Sequence, residues 1–270
     1  MITQLQEAMH KLKPYRKEID LLLDQAHECE RKSQYKLANA ICRSVCVLKI
    51  SHFEGFLKRV SNAVITDLNK NIPFSNLHEE IKRTNSRHFY KADAGGGYNE
   101  NKVGINRLLD SFSEFNVDLI PEPFLANDSA NPKPTAIQNL FSNFGVKEFF
   151  AIIDENNYLS EPFYVTNSQL KHELYKISRR VDSNVSKFPY GISKFPPVDR
   201  KATKKGRQKT LWEESLNEMN RMRHEVAHGT NFENERAAEA LRSDYNKLLY
   251  LQYGILEFLS SWISKKGIAK

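Results

Sequence analysis

The sequence predicts a mainly α-helical protein, in which a four-helix bundle is interrupted by a mixed, mostly helical central insert. Apolar residues recur at helical spacing near both ends of the chain, whereas the pattern loosens between them. At 270 residues, with 40% hydrophobic and 27% charged content, the chain is long enough to bury a core. The predicted division is 1–72 and 211–270 for the two halves of the bundle and 73–210 for the insert.

The N-terminal half is predicted to be a helical hairpin. Its first helix runs from Ile2 to Glu30, and Pro14 is expected to kink or split it. The second runs from about Ser33, a good N-cap residue, to Asn69. Its apolar stripe has spacings of three and four: Leu37, Ile41, Val45, Leu48, His52 and Phe56. Two long helices joined by a short polar turn pack antiparallel.

The central segment contains shorter helical patterns. They are predicted at Leu77–Tyr90, Val103–Phe115, Thr135–Phe144 and Gln169–Val181. One or two strands are expected between Val146 and Tyr164. The three glycines at 95–97 predict a flexible turn and not a phosphate loop, because no Gly-Lys-Ser/Thr follows them.

The C-terminal half contains the segment with the strongest chemical signal. A helix is predicted over Thr210–His228, and Gly229 follows it as the usual residue just past a helix end. After a short polar link, Thr230–Asn234, a last helix is predicted from about Glu235 to Lys265.

Two motifs overlap at the end of the Thr210–His228 helix. His224-Glu225-x-x-His228 matches the helix-borne zinc pattern of metalloproteases, and Arg223-x4-His228 matches a metal-free ribonuclease pattern. Ideal helix geometry puts the two histidines one turn apart on one face. It puts Arg223 about 140° around the axis from His228 and about 7.5 Å along it. Because a long guanidinium can swing across that gap, geometry permits either motif.

The zinc interpretation lacks a third ligand. In the extended zinc pattern a glycine and a histidine would stand where this chain has Asn231 and Asn234. Glu235 and Glu239 follow the second histidine too closely for the chain to turn and return to a metal. A zinc hydrolase therefore stays the less favoured alternative, and no metal or other cofactor is predicted.

The ribonuclease interpretation has support outside the motif. Arg-His-x-x-Ala-His-Gly, followed by a short link and a long terminal helix, resembles the HEPN superfamily of all-helical nucleases. His52-Phe-Glu-Gly-Phe56 resembles the Glu-Gly signature in the corresponding helix of prokaryotic HEPN-like nucleases, with Glu54 as its acid. The resemblance covers about 1–70 and 211–265, and His224 departs from the Asn often found after the arginine.

This resemblance implies a metal-independent endoribonuclease that cleaves RNA through its own 2′-OH, in a toxin or an antiviral defence system. Histidine suits the proton transfers because its ordinary pKa is about 6.5. Arginine suits the phosphate because its guanidinium is a permanently charged, bidentate donor. We therefore expect His228 to act as general acid and base and Arg223 to stabilise the phosphate. His224 is expected to orient or assist, and Glu54 to support the site.

The resemblance also implies a homodimer in which two such motifs face each other, with an antitoxin or regulatory protein as a possible further partner. A second HEPN hypothesis is a non-catalytic module that binds RNA or a nucleotide. In that case Arg223 and His228 only complement the dipole at the helix C-terminus.

The positive charge is concentrated in one loop. The formal net charge is +7, and the segment 194–209 holds seven Lys or Arg against one Asp. Such a run favours a polyanionic partner. The predicted RNA contacts are Lys201, Lys204, Lys205, Arg207 and Lys209.

The remaining composition predicts a reduced, cytoplasmic protein. Cys29, Cys42 and Cys46 contain no C-x-x-C pair, and the N-terminus is polar. We expect Cys42 and Cys46, which are four residues apart, to be buried helix residues. No run reaches the roughly 20 apolar residues that cross a bilayer, so Leu248–Ile263 predicts a core helix and no membrane partner is expected.

Overall fold

The computed structural model describes residues 2–90, 98–125, 132–155, 159–193, 208–229 and 237–268. In these ranges the chain forms α-helices, short 3-10 turns and a π-helical turn at Ile263–Gly267, and no strand beyond one isolated bridge between Leu77 and Ile268. The helices are α1 (Gln4–His10), α2 (Leu12–Arg31), α3 (Tyr35–Asn71), α4 (Glu79–Phe89), α5 (Tyr98–Glu114), α6 (Pro134–Asn143), α7 (Phe149–Glu155), α8 (Asn167–Val185), α9 (Leu211–Ala227) and α10 (Ala238–Trp262). The predicted mainly α-helical class is confirmed.

The first predicted helix is split in two. α1 ends at His10 and α2 begins at Leu12, so the break falls at Lys11. Pro14 lies in the first turn of α2, where its missing N–H removes no intrahelical hydrogen bond. The expected effect of the proline is therefore confirmed, although the break lies three residues before it.

The turn between α2 and α3 corrects one prediction. Ser33 is not the N-cap of α3: it has φ 57° and terminates α2. The N–H of the next residue, Gln34, bonds back to the Cys29 carbonyl at 2.8 Å, which is the hydrogen bond of a left-handed helix ending. α3 consequently begins at Tyr35 without a side-chain cap.

Two helices form the centre of the fold. α3 is 37 residues long and packs against α1, α2, α9 and α10. From Leu248 to Ser261 every residue of α10 is buried, which confirms the predicted core helix. A helix that is apolar around its circumference is enclosed by its neighbours, here α1, α2, α3 and α8.

The strands expected between Val146 and Tyr164 are wrong for the described part of that segment. It forms α7 and a 3-10 turn at Glu161–Phe163. Phe149 stacks on Phe141 with ring centroids 3.8 Å apart, and residues 149–153 of α7 are all buried. A short, uniformly apolar run has neither helical nor strand periodicity, so the sequence does not distinguish the two.

The other helices of the central segment lie where they were predicted, within a few residues at each end. α8 packs along α10 and is fixed there by an ion pair. Arg180 donates from Nε and Nη2 to the two carboxylate oxygens of Glu257, at 2.6 and 3.0 Å. The Glu257 side chain has 0% exposure, so α8 covers a charged position in the middle of the core.

Two further predictions can be compared with the fold. Cys42 and Cys46 are buried helix residues, as expected, and Cys29 is buried in α2 as well. None of the helices within the described ranges combines the length and the apolar character needed to span a bilayer. The glycine turn at 95–97 and the link Thr230–Asn234 lie outside the described residues.

Candidate functional site

α9 holds the motif, and both of its ends are fixed by local sequence. Thr210 is the N-cap: its hydroxyl accepts from the Glu213 N–H at 3.2 Å, and Glu213 accepts from the Thr210 N–H at 2.8 Å. This reciprocal capping box defines the helix start. At the other end α9 stops at Ala227, His228 is the C-cap, and Gly229 adopts φ 66°, which glycine tolerates best. The predicted helix and its glycine stop are confirmed.

Arg223 lies on the buried face of α9. Leu216 and Met219 are core residues, and Arg223 continues their stripe by one further turn. Its side chain is half-buried. The Nε atom is buried and has no hydrogen-bond partner among the residues that the structure describes. Because a buried donor without an acceptor costs free energy, this guanidinium is poised for an anionic ligand.

A neighbouring arginine provides the contrast. Arg221 is exposed and is held by two carboxylates of its own helix. It donates two hydrogen bonds to Glu218, at 2.9 and 2.8 Å, and one to Glu225 at 2.5 Å. Hydrogen bonds to Glu218 and Glu225 and their charges raise the pKa of Arg221. The charge of Arg221 is thus already neutralised within α9, unlike that of Arg223.

The two histidines of the motif lie side by side at the helix end. Their ring centroids are 4.2 Å apart, with planes tilted by 52°. Both side chains are exposed. His224 also accepts a backbone hydrogen bond at its carbonyl from the His228 N–H, at 3.0 Å, which keeps the last turn closed. The arrangement offers two neighbouring imidazoles to a molecule that approaches from solvent.

The geometry around these imidazoles can be compared with a zinc centre. Glu225 is engaged by Arg221, and Glu239 accepts from the Asn167 side chain at 3.1 Å. Glu235 lies outside the described residues. Within the part of the chain that is described, no group of three or more His, Cys, Asp or Glu side chains is placed to hold a metal ion.

An open groove lies between α3 and the end of α9, with a volume of about 580 Å³. Val226, which stands between Arg223 and His228 in sequence, forms its α9 side. The α3 side is made of small and apolar side chains with one arginine: Ala40, Arg43, Ser44, Val47, Leu48 and Ser51. The groove therefore adjoins the helical turn that holds the motif.

Glu54 and Gly55, the Glu-Gly pair of α3, have different local contacts. Glu54 forms an ion pair with Lys58 at 3.2 Å, one turn along α3 from the groove residue Ser51. The contacts described for Glu54 do not include a motif residue, so its supporting role stays a proposal. At Gly55 a Cβ would lie 3.2 Å from Nη1 of Arg59, so the glycine leaves room for that guanidinium.

Arg59 is a residue that the sequence analysis missed. Its guanidinium carbon lies 4.8 Å from the centroid of the Tyr15 ring. The sequence signal is an arginine four residues after the glycine, on the same helical ridge. The tyrosine partner comes from α2, so helical spacing within α3 does not reveal it.

His52 is packed beside the same tyrosine. Its ring centroid is 4.3 Å from that of Tyr15, and its Nε2 atom is 3.3 Å from a carboxylate oxygen of Glu18. Burial lowers the pKa of His52, the charge of Arg59 lowers it further, and the charge of Glu18 opposes both effects. His52 is thus a packed helix residue and favours its neutral form.

The predicted RNA-binding loop falls mostly outside the described residues. The residues outside the described ranges include Lys201, Lys204, Lys205 and Arg207. Lys209 is described: it is exposed and directly precedes the N-cap of α9.

The described bundle of α-helices, which carries the motif at the end of α9, is consistent with the all-helical fold of HEPN proteins. The family model described as RiboL-PSP-HEPN matches residues 12–261, and the chain belongs to that family. The match includes the central segment, which the motif resemblance did not cover. This family associates the chain with nuclease-type, RNA-related function. No curated protein and no solved structure matches the chain.

Proposed function

We propose that this protein is a metal-independent endoribonuclease whose site is formed by Arg223, His224 and His228. The observation that carries the proposal is the arginine: its half-buried guanidinium has a buried Nε without a partner in the described chain. It shares a helix end with two exposed, adjacent imidazoles. An anion receptor beside proton-transfer groups is what phosphodiester cleavage requires.

The reaction follows from the roles of these groups. A histidine takes the proton of the ribose 2′-OH, and the 2′-oxygen forms a bond to the adjacent phosphorus. Arg223 binds the non-bridging oxygens, on which negative charge accumulates. The bond to the 5′-oxygen breaks, and a protonated histidine donates its proton to that leaving oxygen. The products are a 2′,3′-cyclic phosphate and a 5′-hydroxyl, with no water or ion consumed.

Product analysis tests this proposal. Single-stranded RNA is incubated with the protein in excess EDTA, and the fragment ends are determined by mass spectrometry. We expect fragments that end in 2′,3′-cyclic phosphate and begin with 5′-hydroxyl. Cleavage that requires a divalent cation and leaves 5′-phosphates would contradict the mechanism. RNA that is bound but stays intact would identify a non-catalytic binding module instead.

We further propose that two copies pair through the groove between α3 and α9. Val226 places the groove next to the motif, so a twofold pairing there brings two motif helices together. The second copy then supplies a second His228, so that one His228 can act as the base and the other as the acid. Apolar side chains such as Val47 and Leu48, which are only half-buried in one chain, become covered.

Val47→Glu tests this pairing. A carboxylate in the groove would face its symmetry copy, and we expect light scattering to show a monomer in place of a dimer, with RNA cleavage lowered in parallel. Val103→Glu is the matched control, because Val103 is 53% exposed on α5, away from the groove. A dimeric Val47→Glu protein with full activity would refute pairing through this surface.

The biological setting is part of the proposal and rests on the family alone. We propose a toxin or antiviral defence effector that acts on cellular RNA and is controlled by an antitoxin or regulatory protein. Lys209 is exposed and, with the basic residues before it, precedes α9 in the sequence. We propose that these residues guide RNA to α9.

A further inference from the structure

A second cationic position lies on α3, between the groove and the α1–α2 junction. It consists of Arg59, whose guanidinium lies over the Tyr15 ring, and His52, whose ring also packs against Tyr15. The acid nearest to these groups, Glu18, lies 3.3 Å from the His52 imidazole. No ion pair or hydrogen bond is described for Arg59 within the described ranges, although it is half-buried.

The donors of Arg59 indicate a missing acceptor. Both Nε and Nη2 are buried and lack a hydrogen-bond partner in the part of the chain that the structure describes. Buried guanidinium donors are nearly always bonded to an acceptor, because their desolvation is otherwise uncompensated. The cation–π contact with Tyr15 holds the guanidinium in place. Nη1 is not among its buried donors, so an acceptor from solvent approaches the group at Nη1.

Gly55 shapes this position. The Arg59 side chain folds back along α3, and a Cβ at residue 55 would approach its Nη1 atom to 3.2 Å. That is closer than ordinary van der Waals contact, so any side chain there would push the guanidinium outward. Gly55 has no positive φ or turn to explain it, since it lies in the middle of a 37-residue helix. A close approach by Arg59 is the physical reason for a glycine at a position where glycine weakens the helix.

The arginine is aligned with the proposed active site. Ser51, Gly55 and Arg59 are spaced by four residues and form one ridge of α3. Ser51 lines the groove opposite Val226 of the motif turn. Eight residues of helix separate Ser51 from Arg59, which corresponds to about 12 Å along the axis. An RNA strand that leaves the groove along this ridge passes over Arg59.

We propose that Arg59, packed on Tyr15 beside Gly55, binds a backbone phosphate of the RNA strand away from the cleaved bond. This inference rests on the proposed ribonuclease function and adds a binding subsite to it. The guanidinium fork matches two phosphate oxygens, and its fixed plane lowers the entropy that is lost on binding. Arg59 contributes to holding and aligning the strand and not to the proton transfers.

The test measures binding without cleavage. Arg59→Gln and Gly55→Ala are each combined with His228→Ala, and the affinity for a labelled single-stranded RNA is determined at several salt concentrations in EDTA. For Arg59→Gln we expect affinity to fall about tenfold at low salt. The slope of log affinity against log salt should decrease by about 0.7, the value for one lost phosphate contact on a single strand. Gly55→Ala should shift binding in the same direction while its melting temperature stays equal or rises, because alanine favours the helix.

Arg179→Gln is the matched control. Arg179 also lies over a tyrosine, Tyr175, at 5.9 Å, but it is exposed on α8 and its removal should leave affinity and slope unchanged. An unchanged salt slope in a folded Arg59→Gln protein would overturn the proposal. So would equal losses for Arg59→Gln and Arg179→Gln.

Competition distinguishes a phosphate in an RNA strand from the phosphate of a free nucleotide. Inorganic phosphate and AMP are titrated against the RNA complex, and their own binding is followed calorimetrically. Weak competition by both supports a strand phosphate. If RNA binding depends on Arg59 but the protein never cleaves RNA, the subsite is supported and the catalytic proposal is contradicted. Tight AMP binding that Arg59→Gln abolishes, without any RNA binding, would overturn the strand assignment in favour of a free nucleotide.

Discussion

Replacement of His228 by alanine is expected to lower the rate of RNA cleavage by about 10²–10⁴-fold, because one proton-transfer group is lost from the reaction. The effect should fall on kcat, since the imidazole acts in the transition state and contributes little to RNA binding. Single-turnover cleavage of a labelled RNA in EDTA measures it. His228 is exposed at the C-cap of α9, so the variant is expected to fold as the parent protein does.

Arg223 and Arg221 form a matched pair for the same assay. Arg223→Ala removes the phosphate ligand and should lower cleavage to a similar extent, with weaker RNA binding as well. Arg221→Gln should leave cleavage nearly unchanged, because that guanidinium is engaged by Glu218 and Glu225. Equal losses for both arginines would show that general surface charge matters here, and not a specific phosphate ligand.

Most of the fold was predictable because its long helices have clear signals. Thr210 and Gly229 bracket α9 by ordinary capping rules, and the periodic apolar residues of α3 are buried or half-buried except Leu37, which is 50% exposed. The prediction failed at Ser33 because the residue that ends one helix and the one that begins the next are neighbours in sequence. A serine suits an N-cap by composition, but its positive φ is imposed by the end of α2.

The candidate site was only partly predictable, for a physical reason. Helical spacing brings His224 and His228 together within one element. The same spacing places Glu218 and Glu225 beside Arg221 within α9. It does not indicate that the Nε atom of Arg223 is buried, because that depends on the neighbouring helices. Arg59 shows the same limit: its partner Tyr15 is 44 residues away in sequence, on another helix. Contacts between elements carry this information, and a one-dimensional pattern does not contain it.

The fold itself depends on a buried carboxylate whose loss should be the most damaging of the structural changes considered. Asp67, on α3, is 3% exposed. It accepts hydrogen bonds from the first two backbone N–H groups of α1, at Gln4 and Leu5, at 3.0 and 3.1 Å. It also accepts a hydrogen bond from the Tyr190 hydroxyl at 2.7 Å. One side chain thus caps α1 and anchors the segment after α8.

Asp67→Ala is expected to lower the free energy of unfolding by about 3 kcal/mol, because it leaves two buried donors and one partly buried donor, the Gln4 N–H, without an acceptor. Tyr190→Phe removes one of these bonds and should cost about 1 kcal/mol. Burial and the nearby Asp67 charge raise the pKa of Tyr190 well above its usual value, so the phenol remains a donor at any pH of interest. Urea denaturation followed by circular dichroism measures both variants.

These variants also separate stability from catalysis. Asp67 lies two turns of α3 beyond Arg59, and its bonds reach α1 and the chain after α8, on elements other than α9. Well below its melting temperature, an Asp67→Ala protein should therefore cleave RNA at nearly the parent rate, whereas His228→Ala should be stable and inactive. A loss of cleavage in the folded Asp67→Ala protein would mean that the α1 cap sets the geometry of the motif turn. In that case the active site would extend across the whole bundle and not only along the α3–α9 contact.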